Sequence, residues 1–297
     1  EGAQIDPIRL FTTANMTDVR DVIVLPGDPP VTEDEGCNSA LVPASHSSNG
    51  HSLQGQTWDL NGPDVKHVIA LHQIPDEGPE VWTVTCAGCQ TLMGMSEHAV
   101  TVGTTTHNTT CERVGLKTRA EASAVAQSAP VAGSHSYWIG DAAGAGEWER
   151  APDSALLRST DDGPFARTNH CLFDANIAIE DALSETTHSR LARMQSLLDQ
   201  STDHSLDSLK QAFSSRADGR LSINRFAEDE SGATTNAVVA FNPAELEFLA
   251  CRGPATEGVW SSWHLSEAWQ RHPDPYRIGV LSPQYCHACP PKMRAAG

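Results

Sequence analysis

The sequence predicts an α+β fold built on antiparallel sheets. Three observations support this prediction. Short alternating apolar and polar runs dominate residues 39–103, helical periodicity appears in the middle of the chain, and two more strand-like runs lie within 236–250. Strands grouped in one part of a chain and helices in another are typical of α+β domains, in which helices cover the faces of antiparallel sheets.

The first group of predicted strands consists of short runs at 39–42, 52–58, 65–71, 81–85 and 99–103. An Asn-Gly pair and clusters of proline and glycine separate these runs, and such sequences form tight turns between antiparallel strands. Ahead of them, residues 26–36 are acidic and rich in proline. We therefore expect an exposed loop before the first strand.

The middle of the chain predicts three helices. Thr118 and Glu121 form a capping-box pattern ahead of an alanine-rich run that ends at Pro130. A second helix is predicted at 186–199, where Leu191, Met194, Leu197 and Leu198 share one face, and a third at 205–214.

The remaining predicted strands follow the same reasoning. One pair lies at 134–139 and 156–159, with a segment rich in glycine and alanine at 140–146 between them. Two late strands are predicted at 236–241 and 246–250. The tail from Pro275 shows no clear periodicity, so the sequence predicts no element there.

The acidic composition of the chain excludes some classes of binding partner. The chain has 297 residues, with 20 Lys and Arg against 38 Asp and Glu, a formal net charge of −18. Such a chain repels phosphate backbones and anionic lipid surfaces, so we expect no nucleic-acid and no membrane partner. No apolar run approaches the roughly 20 residues that span a bilayer. The first residues lack the pattern of a signal peptide, so we expect a soluble protein, with the cytoplasm favoured.

Eight cysteines include two C-x-x-C pairs, Cys86 with Cys89 and Cys286 with Cys289. The two pairs could share a structural zinc ion, form disulfides or remain free thiols. Zinc-ribbon pairs are usually separated by about 15–20 residues, far fewer than here. No histidine motif for zinc and no glycine-rich phosphate loop is present, so we expect no metal and no cofactor.

The step from Gly36 to Cys37 permits a specific chemistry. The Cys37 thiol can attack the Gly36 carbonyl carbon, and hydrolysis of the resulting thioester frees Cys37 as a new N-terminus. Its α-amine, with a reference pKa of about 7.7–8.0, can then act as general base for its own thiol. The alternative is an ordinary buried cysteine without a chemical role.

Several further segments accompany that step. They are Leu-Gln-Gly-Gln-Thr-Trp-Asp at 53–59, Thr-Asn-His-Cys-Leu at 168–172, Ser-Ile-Asn-Arg-Phe at 222–226, Ala-Val-Val at 237–239 and Cys-Arg-Gly-Pro at 251–254. With these motifs in this order, the chain resembles the acyl-coenzyme A:6-aminopenicillanic acid acyltransferase family over about residues 1–265. Members of this family are autoproteolytic N-terminal-nucleophile (Ntn) acyltransferases and amidohydrolases.

Two features depart from the family pattern. Thr57 replaces the asparagine that family members carry before the tryptophan and aspartate of the second motif. The family also has several dozen residues ahead of the position of Glu1 and a longer stretch between about His107 and Thr118, where a helix is expected, so the chain is either truncated and gapped at those places or shortened. Both regions affect the rim of the pocket, so we expect them to affect the choice of substrate.

The resemblance implies a four-layer αββα Ntn-hydrolase sandwich with two antiparallel sheets. It also implies four catalytic residues. Cys37 would form a thioester with the acyl group, and the Asn169 amide N–H would stabilise the oxyanion. Asp59 would accept a hydrogen bond from the Cys37 α-ammonium, and Arg225 would favour the thiolate and help to fix Asp59. The alternatives are a turn-closing Asp59, a loop-capping Asn169 and a surface ion pair of Arg225.

The resemblance further implies a precursor that cleaves itself between Gly36 and Cys37. Residues 1–36 would form a small N-terminal fragment, and 37–297 the catalytic chain, with the two fragments staying associated. We expect an amidohydrolase that acts on a small-molecule or peptide-like amide. The alternatives are an acyltransferase that uses amine or coenzyme A donors and acceptors, an Ntn enzyme acting on esters or thioesters, and a non-catalytic binding module on the same fold. An oligomer is compatible with the sequence.

Overall fold

Two antiparallel sheets stack face to face, and helices cover both outer surfaces. The computed structural model describes residues 6, 36–75, 78–89, 92–107, 118–129, 131, 134–178, 185–229, 233–265 and 276–279. In chain order the strands are β1 (Gly36–Val42), β2 (Leu53–Asn61), β3 (Val68–Gln73), β4 (Val81–Cys86), β5 (Met93–Ser96), β6 (Thr101–His107), β7 (Ser134–Gly140), β8 (Ala145–Ala151), β9 (Ser154–Ser159), β10 (Phe165–Arg167), β11 (Ala233–Asn242), β12 (Glu247–Arg252), β13 (Trp260–His264) and β14 (Tyr276–Gly279).

The α-helices are α1 (Arg119–Ser128), α2 (Asp174–Ile177), α3 (Glu185–Asp199) and α4 (Leu206–Phe213). The six-stranded sheet has the order β10-β1-β2-β11-β12-β13, and the eight-stranded sheet has the order β14-β3-β4-β5-β6-β7-β8-β9. Every pairing in both sheets is antiparallel. The chain crosses from one sheet to the other through a six-residue 3₁₀ helix, Gly62–His67, between β2 and β3.

The alternation of side chains along each strand separates two apolar layers. In β1, Cys37 and Leu41 belong to the core between the sheets, whereas Ala40 and Val42 face the helices. The inter-sheet core also contains buried aromatic residues from both sheets, namely Trp58, Trp82, Trp138, Phe165, Phe241 and Phe248.

Helices α3 and α4 cover the outer face of the six-stranded sheet, where Met194 and Phe213 pack against that sheet. Helix α1 covers part of the eight-stranded sheet, where Ala122 and Ala126 pack against Tyr137 and neighbouring side chains. The order of layers is therefore helix, sheet, sheet, helix, as predicted.

The predicted helices are confirmed. The Glu121 N–H donates to Thr118 Oγ1 at 3.2 Å, so Thr118 caps α1 as the sequence indicated. The helices predicted at 186–199 and 205–214 correspond to α3 and α4. The capping box of α4 is formed by Ser205 and Ser208.

Several strand predictions were wrong or incomplete. The strand predicted at 65–71 begins only at Val68, because the preceding residues form the 3₁₀ helix. The segment between 140 and 156 contains β8, which was missed because its buried face carries the charged Glu147 and Glu149. The short β5 and β10, and the late β13 and β14, were also missed.

Most of the predicted loop at 26–36 lies outside the described residues, and so does nearly all of the fragment 1–36. Gly36 itself is not in an exposed loop, since it is the first, buried residue of β1. In the part of the chain that the structure describes, no helix is both long enough and apolar enough to cross a membrane.

The helix layer should contribute strongly to stability. Phe213 is fully buried between α4 and the six-stranded sheet, where it faces Gly55. Phe213→Ala should lower the free energy of unfolding by about 3–5 kcal/mol, because it removes apolar burial and leaves a cavity. Chemical denaturation followed by circular dichroism measures this. The control Leu157→Ala, at an exposed position, should change stability by no more than about 0.5 kcal/mol.

Candidate active site

The candidate site lies where β1 begins and β2 ends. Gly36 pairs with Asp59, and Cys37 pairs with Trp58 across the two strands. Cys37 is 2% exposed, and its side chain belongs to the core between the sheets. The predicted nucleophile and the predicted carboxylate are therefore neighbours through strand register.

Asn169 reaches Cys37 from the turn that follows β10. The Cys37 backbone N–H donates to Asn169 Oδ1 at 2.8 Å. The turn is fixed to the first turn of α3, since the Asn169 N–H donates to Thr187 Oγ1 at 2.9 Å and Thr168 Oγ1 donates to the Thr187 carbonyl at 3.0 Å. Two residues 132 positions apart thus meet because β10 pairs with β1.

Arg190 of α3 completes this contact and was not predicted from the sequence. Its Nη1 donates to the Cys37 carbonyl at 2.7 Å and to Asn38 Oδ1 at 2.9 Å, and its Nη2 donates to Asn169 Oδ1 at 3.0 Å. A signal was present, because Arg190 precedes Met194 and Leu198 at spacings of four on the buried face of the helix. A cation on an apolar helix face needs buried acceptors, and here the site provides them.

These bonds determine the orientation of the Asn169 amide. Asn169 Oδ1 accepts from both the Cys37 N–H and Arg190 Nη2. Because only the oxygen of an amide can accept, the nitrogen Nδ2 must occupy the other branch of the group. The amide N–H donors are therefore directed away from the Cys37 nitrogen and the guanidinium.

Asp59 and Arg225 form a buried group connected by Thr235. Thr235 Oγ1 donates to Asp59 Oδ1 at 2.8 Å and accepts from the Arg225 backbone N–H at 3.0 Å. Burial raises the pKa of Asp59 above its usual value, and the positive charges of Arg225 and Arg190 and the hydroxyls of Thr235 and Thr57 oppose that rise. Burial lowers the pKa of Arg190 to about 10, so Arg190 stays positively charged at neutral pH.

The structure thus brings Cys37, Asp59, Asn169 and Arg225 to one end of the six-stranded sheet. In the continuous chain, the Cys37 N–H binds Asn169. The predicted bond to Asp59 involves the α-ammonium group that cleavage would create, so it stays a prediction. A surface ion pair of Arg225 does not fit the site, because Arg225 is fully buried.

Thr57 connects β2 to Asn38. The backbone N–H and the side-chain amide of Asn38 donate to Thr57 Oγ1 at 3.0 and 2.7 Å. Asn38 Oδ1 in turn accepts from Arg190. The Thr57 hydroxyl therefore joins the hydrogen-bond network of the site.

Gly36 is constrained by its surroundings. A Cβ atom added there would lie 2.9 Å from Arg190 Nη2 and 3.1 Å from Asn169 Oδ1. A larger residue would require the buried Arg190 guanidinium to shift. Packing at this position therefore favours the glycine of the Gly-Cys step.

A buried ion-pair network supports the Asn169 turn from the side of the eight-stranded sheet. Arg167, which ends β10, forms an ion pair with Glu147 at 2.7 Å and a second one with Glu149. Glu149 also accepts from the Leu172 N–H at 2.7 Å and from Asn176 Nδ2 at 2.9 Å. The residues on both sides of Asn169 are thus fixed to β8.

The C-x-x-C pair at Cys86 and Cys89 consists of free thiols, whereas Cys286 and Cys289 lie outside the described residues. Within the described ranges, no group of three or more His, Cys, Asp or Glu side chains is placed to hold a metal ion.

Two stacked antiparallel sheets between helix layers are the architecture of the Ntn-hydrolase fold, and this chain has that fold. Solved structures of the same fold include penicillin V acylase from Agrobacterium tumefaciens, with 11% identity, a TM-score of 0.54, and coverage of 78% of this chain and 87% of that one. A mutant conjugated bile acid hydrolase from Clostridium perfringens gives 11% identity, a TM-score of 0.54, and coverage of 78% and 93%. Another variant of that hydrolase gives 10% identity, a TM-score of 0.53, and coverage of 85% and 100%.

Residues 46–253 match the model of the acyl-coenzyme A:6-aminopenicillanic acid acyl-transferase family. Because the match covers more than half of the chain, the chain belongs to this family, as its motifs indicated. It is accordingly an enzyme of the Ntn hydrolase and acyltransferase class. The matched region includes Asp59, Asn169 and Arg225 and begins after Cys37. No curated protein sequence matches the chain.

His170 should make stability fall in weak acid. Burial, followed by the charges of His188, Arg167 and Arg190, lowers its pKa to about 4. The unfolded chain protonates near the ordinary pKa of about 6.5, so it binds more protons than the folded chain between these two values. Stability from this group is therefore complete above pH 6.5 and is lost as the pH falls towards 4.

Replacing His170 with Gln should remove this dependence. Between pH 7 and pH 5, the unfolding free energy of His170→Gln should fall by about 1–2 kcal/mol less than that of the wild type. Urea unfolding at both pH values measures the difference. The control His98→Gln changes an exposed histidine and should keep the wild-type slope. Equal slopes in all three proteins would mean that His170 titrates normally in the folded chain.

Proposed function

We propose that this protein is an autoproteolytically processed amidohydrolase with Cys37 as its N-terminal nucleophile. The observation that carries this proposal is the way in which the Cys37 backbone is bound. Asn169 accepts from its N–H and Arg190 donates to its carbonyl, on a strand that starts with a glycine packed closely against Arg190 and Asn169. The bond to the Cys37 N–H fixes the nitrogen of the Gly36–Cys37 peptide, and the bond to the carbonyl fixes the residue that carries the thiol, which fits processing at this peptide bond.

Processing would begin when the Cys37 thiol attacks the Gly36 carbonyl carbon. The C–S bond forms, the C–N bond breaks, and the Cys37 nitrogen takes the proton that the thiol loses. Water then cleaves the thioester, giving the Gly36 carboxylate; one proton of the water returns to the sulfur and the other is taken up by the new Cys37 amine or by solvent. The products are a fragment ending at Gly36 and a chain with a free Cys37 amine, and we propose that the two stay associated.

The processed site would then act on an amide. The Cys37 α-amine takes the thiol proton, and the thiolate attacks the substrate carbonyl carbon. Asn169 Nδ2 stabilises the oxyanion that develops on the carbonyl oxygen. The α-ammonium returns its proton to the leaving amine as the C–N bond breaks. Water hydrolyses the thioester, releasing the acid and restoring the thiol.

The charges around Cys37 support this sequence. Arg190 and Arg225 are both buried, and Arg190 interacts electrostatically with Cys37 as well as with Asp59. Two guanidinium groups beside one carboxylate leave a positive potential that favours a thiolate and an oxyanion. We assign Asp59 the role of binding the α-ammonium after cleavage, because it lies opposite Gly36 in the strand register.

Hydrolysis of a small-molecule amide is the favoured reaction. The similar structures are a penicillin V acylase and a conjugated bile acid hydrolase, and hydrolysis needs no second substrate site. Acyl transfer is the second candidate, because the family that matches the chain is described as an acyltransferase family. Transfer would require an amine site that excludes water. Product analysis with and without added amine distinguishes the two reactions.

Replacing Cys37 with Ala should abolish both processing and turnover, because each step requires the same sulfur. Intact mass spectrometry detects cleavage between Gly36 and Cys37, and a panel of amide, ester and acyl-coenzyme A substrates detects turnover. The control Cys251→Ala removes a buried thiol from the helix side of the sheet and should be processed normally. A wild-type chain that stays intact and inactive would instead support the binding-module alternative.

The oxyanion role of Asn169 can be separated from its structural role. Asn169→Asp keeps an oxygen that accepts from the Cys37 amine and from Arg190 but removes the N–H donor. Both Asn169→Asp and Asn169→Ala should lower kcat by about 10²–10³-fold with little change in KM, since the donor acts on the transition state. Steady-state kinetics on fully processed protein measures this. Near wild-type kcat in Asn169→Asp would assign Asn169 to positioning alone.

A further inference from the structure

The Cys86 and Cys89 pair lies at the end of β4, outside the candidate active site. Cys86 is the last residue of this strand and pairs with Val68, the first residue of β3. Both cysteines are free and half-buried, and Ala87 and Gly88 between them are exposed. Small solutes therefore have access to this turn, in contrast to the buried Cys171 and Cys251.

The backbone holds the two cysteines in a tight turn. The Cys89 N–H donates to the Cys86 carbonyl at 2.9 Å, and Gly88 adopts a φ of 97°. A positive φ at the third position of a four-residue turn is characteristic of a type II turn and favours glycine. The Ala87 N–H donates to the His67 carbonyl at 2.8 Å, which connects the turn to the adjacent 3₁₀ helix.

This geometry matches the requirements of a disulfide. The Cα atoms at the ends of such a turn lie within about 7 Å of each other, and disulfides join Cα atoms separated by about 4.4–6.8 Å. A bond between the two sulfurs therefore needs little movement of the backbone. The turn therefore already brings Cys86 and Cys89 close enough for a disulfide.

The two thiols also differ in reactivity. The interaction between the two side chains lowers the pKa of Cys89 to about 7 and raises the pKa of Cys86 above its usual value. The thiolate is the nucleophile in thiol–disulfide exchange. Cys89 is therefore suited to attack, and Cys86 to resolve the resulting mixed disulfide. Burial raises the pKa of Cys251 to about 12, which leaves that thiol unreactive.

We propose that Cys86 and Cys89 form a reversible redox dithiol that exchanges with low-molecular-weight disulfides of the glutathione type. The Cys89 thiolate attacks one sulfur of the disulfide RSSR, forming a mixed disulfide and expelling RS⁻. Cys86 then loses its proton and attacks the Cys89 sulfur, expelling the second RS⁻. The protein dithiol is oxidised to a disulfide, and RSSR is reduced to two RSH molecules once both thiolates take up protons.

The test uses oxidised glutathione as the probe on the reduced full-length protein. Exchange is quenched with acid, free thiols are alkylated, and peptides are mapped by mass spectrometry. We expect a bond between Cys86 and Cys89 that dithiothreitol reverses, while Cys171 and Cys251 become alkylated only after denaturation. Failure to form this bond, or a bond from either residue to another cysteine, would overturn the proposal.

One variant and a brief exposure of the wild type test the assigned order of attack. In Cys86→Ser, Cys89 should accumulate as a mixed disulfide with glutathione, because the resolving thiol is absent. In the wild type, brief exposure to limiting oxidised glutathione followed by acid quenching should place the first glutathione on Cys89, because the thiolate is the attacking species. Glutathione captured first on Cys86 would contradict the assignment. A stoichiometric metal ion protecting both thiols in the purified protein, detected by elemental analysis, would replace the dithiol with a metal site.

Discussion

The site depends on one buried guanidinium. Arg190 comes from the helix layer, yet its donors reach the Cys37 carbonyl, Asn38 Oδ1 and Asn169 Oδ1 at the end of the six-stranded sheet. Burying a charge without such acceptors would cost several kcal/mol or more, so the chain must assemble all three acceptors when α3 packs. The Arg190 side chain therefore connects the helix, the first strand and the turn after β10, and Thr187 adds two hydrogen bonds between the helix and the turn.

The same residue determines the electrostatics of the site. Arg190 and Arg225 together carry two positive charges, and Asp59 supplies at most one negative charge. The group is fully buried, so solvent screens these charges only weakly. Even with Asp59 ionised, the site keeps an excess positive charge before any reaction begins. Under the proposed function, a thiolate or an oxyanion formed at Cys37 would balance this charge, as electrostatic preorganisation for acyl transfer requires.

Local patterns predicted the parts of the fold that follow simple periodicity. The Thr118 cap, α3 and α4 were visible because their signals lie within a few residues. Strand β8 was missed because Glu147 and Glu149 become buried only through ion pairs with Arg167, which lies far away in sequence. The grouping of Cys37 with Asn169 came from the family resemblance alone. Arg190 does not contribute to the apolar periodicity that predicts α3, although it lies on the same buried face as Met194 and Leu198.

Successive side chains of β1 point to opposite faces of the sheet, so the strand borders an apolar core on one face and a buried polar network on the other. Cys37 faces the apolar space between the sheets, and Asn38, one residue later, faces Arg190 on the helix side. A thiol in an apolar space is shielded from water, whereas its own backbone remains in contact with polar groups through Asn169 and Arg190. A shift of register by one residue would exchange these faces and bury Asn38 between the sheets. The close contact of Gly36 with Arg190 and Asn169 opposes that shift, because the next residue in its place would carry a side chain.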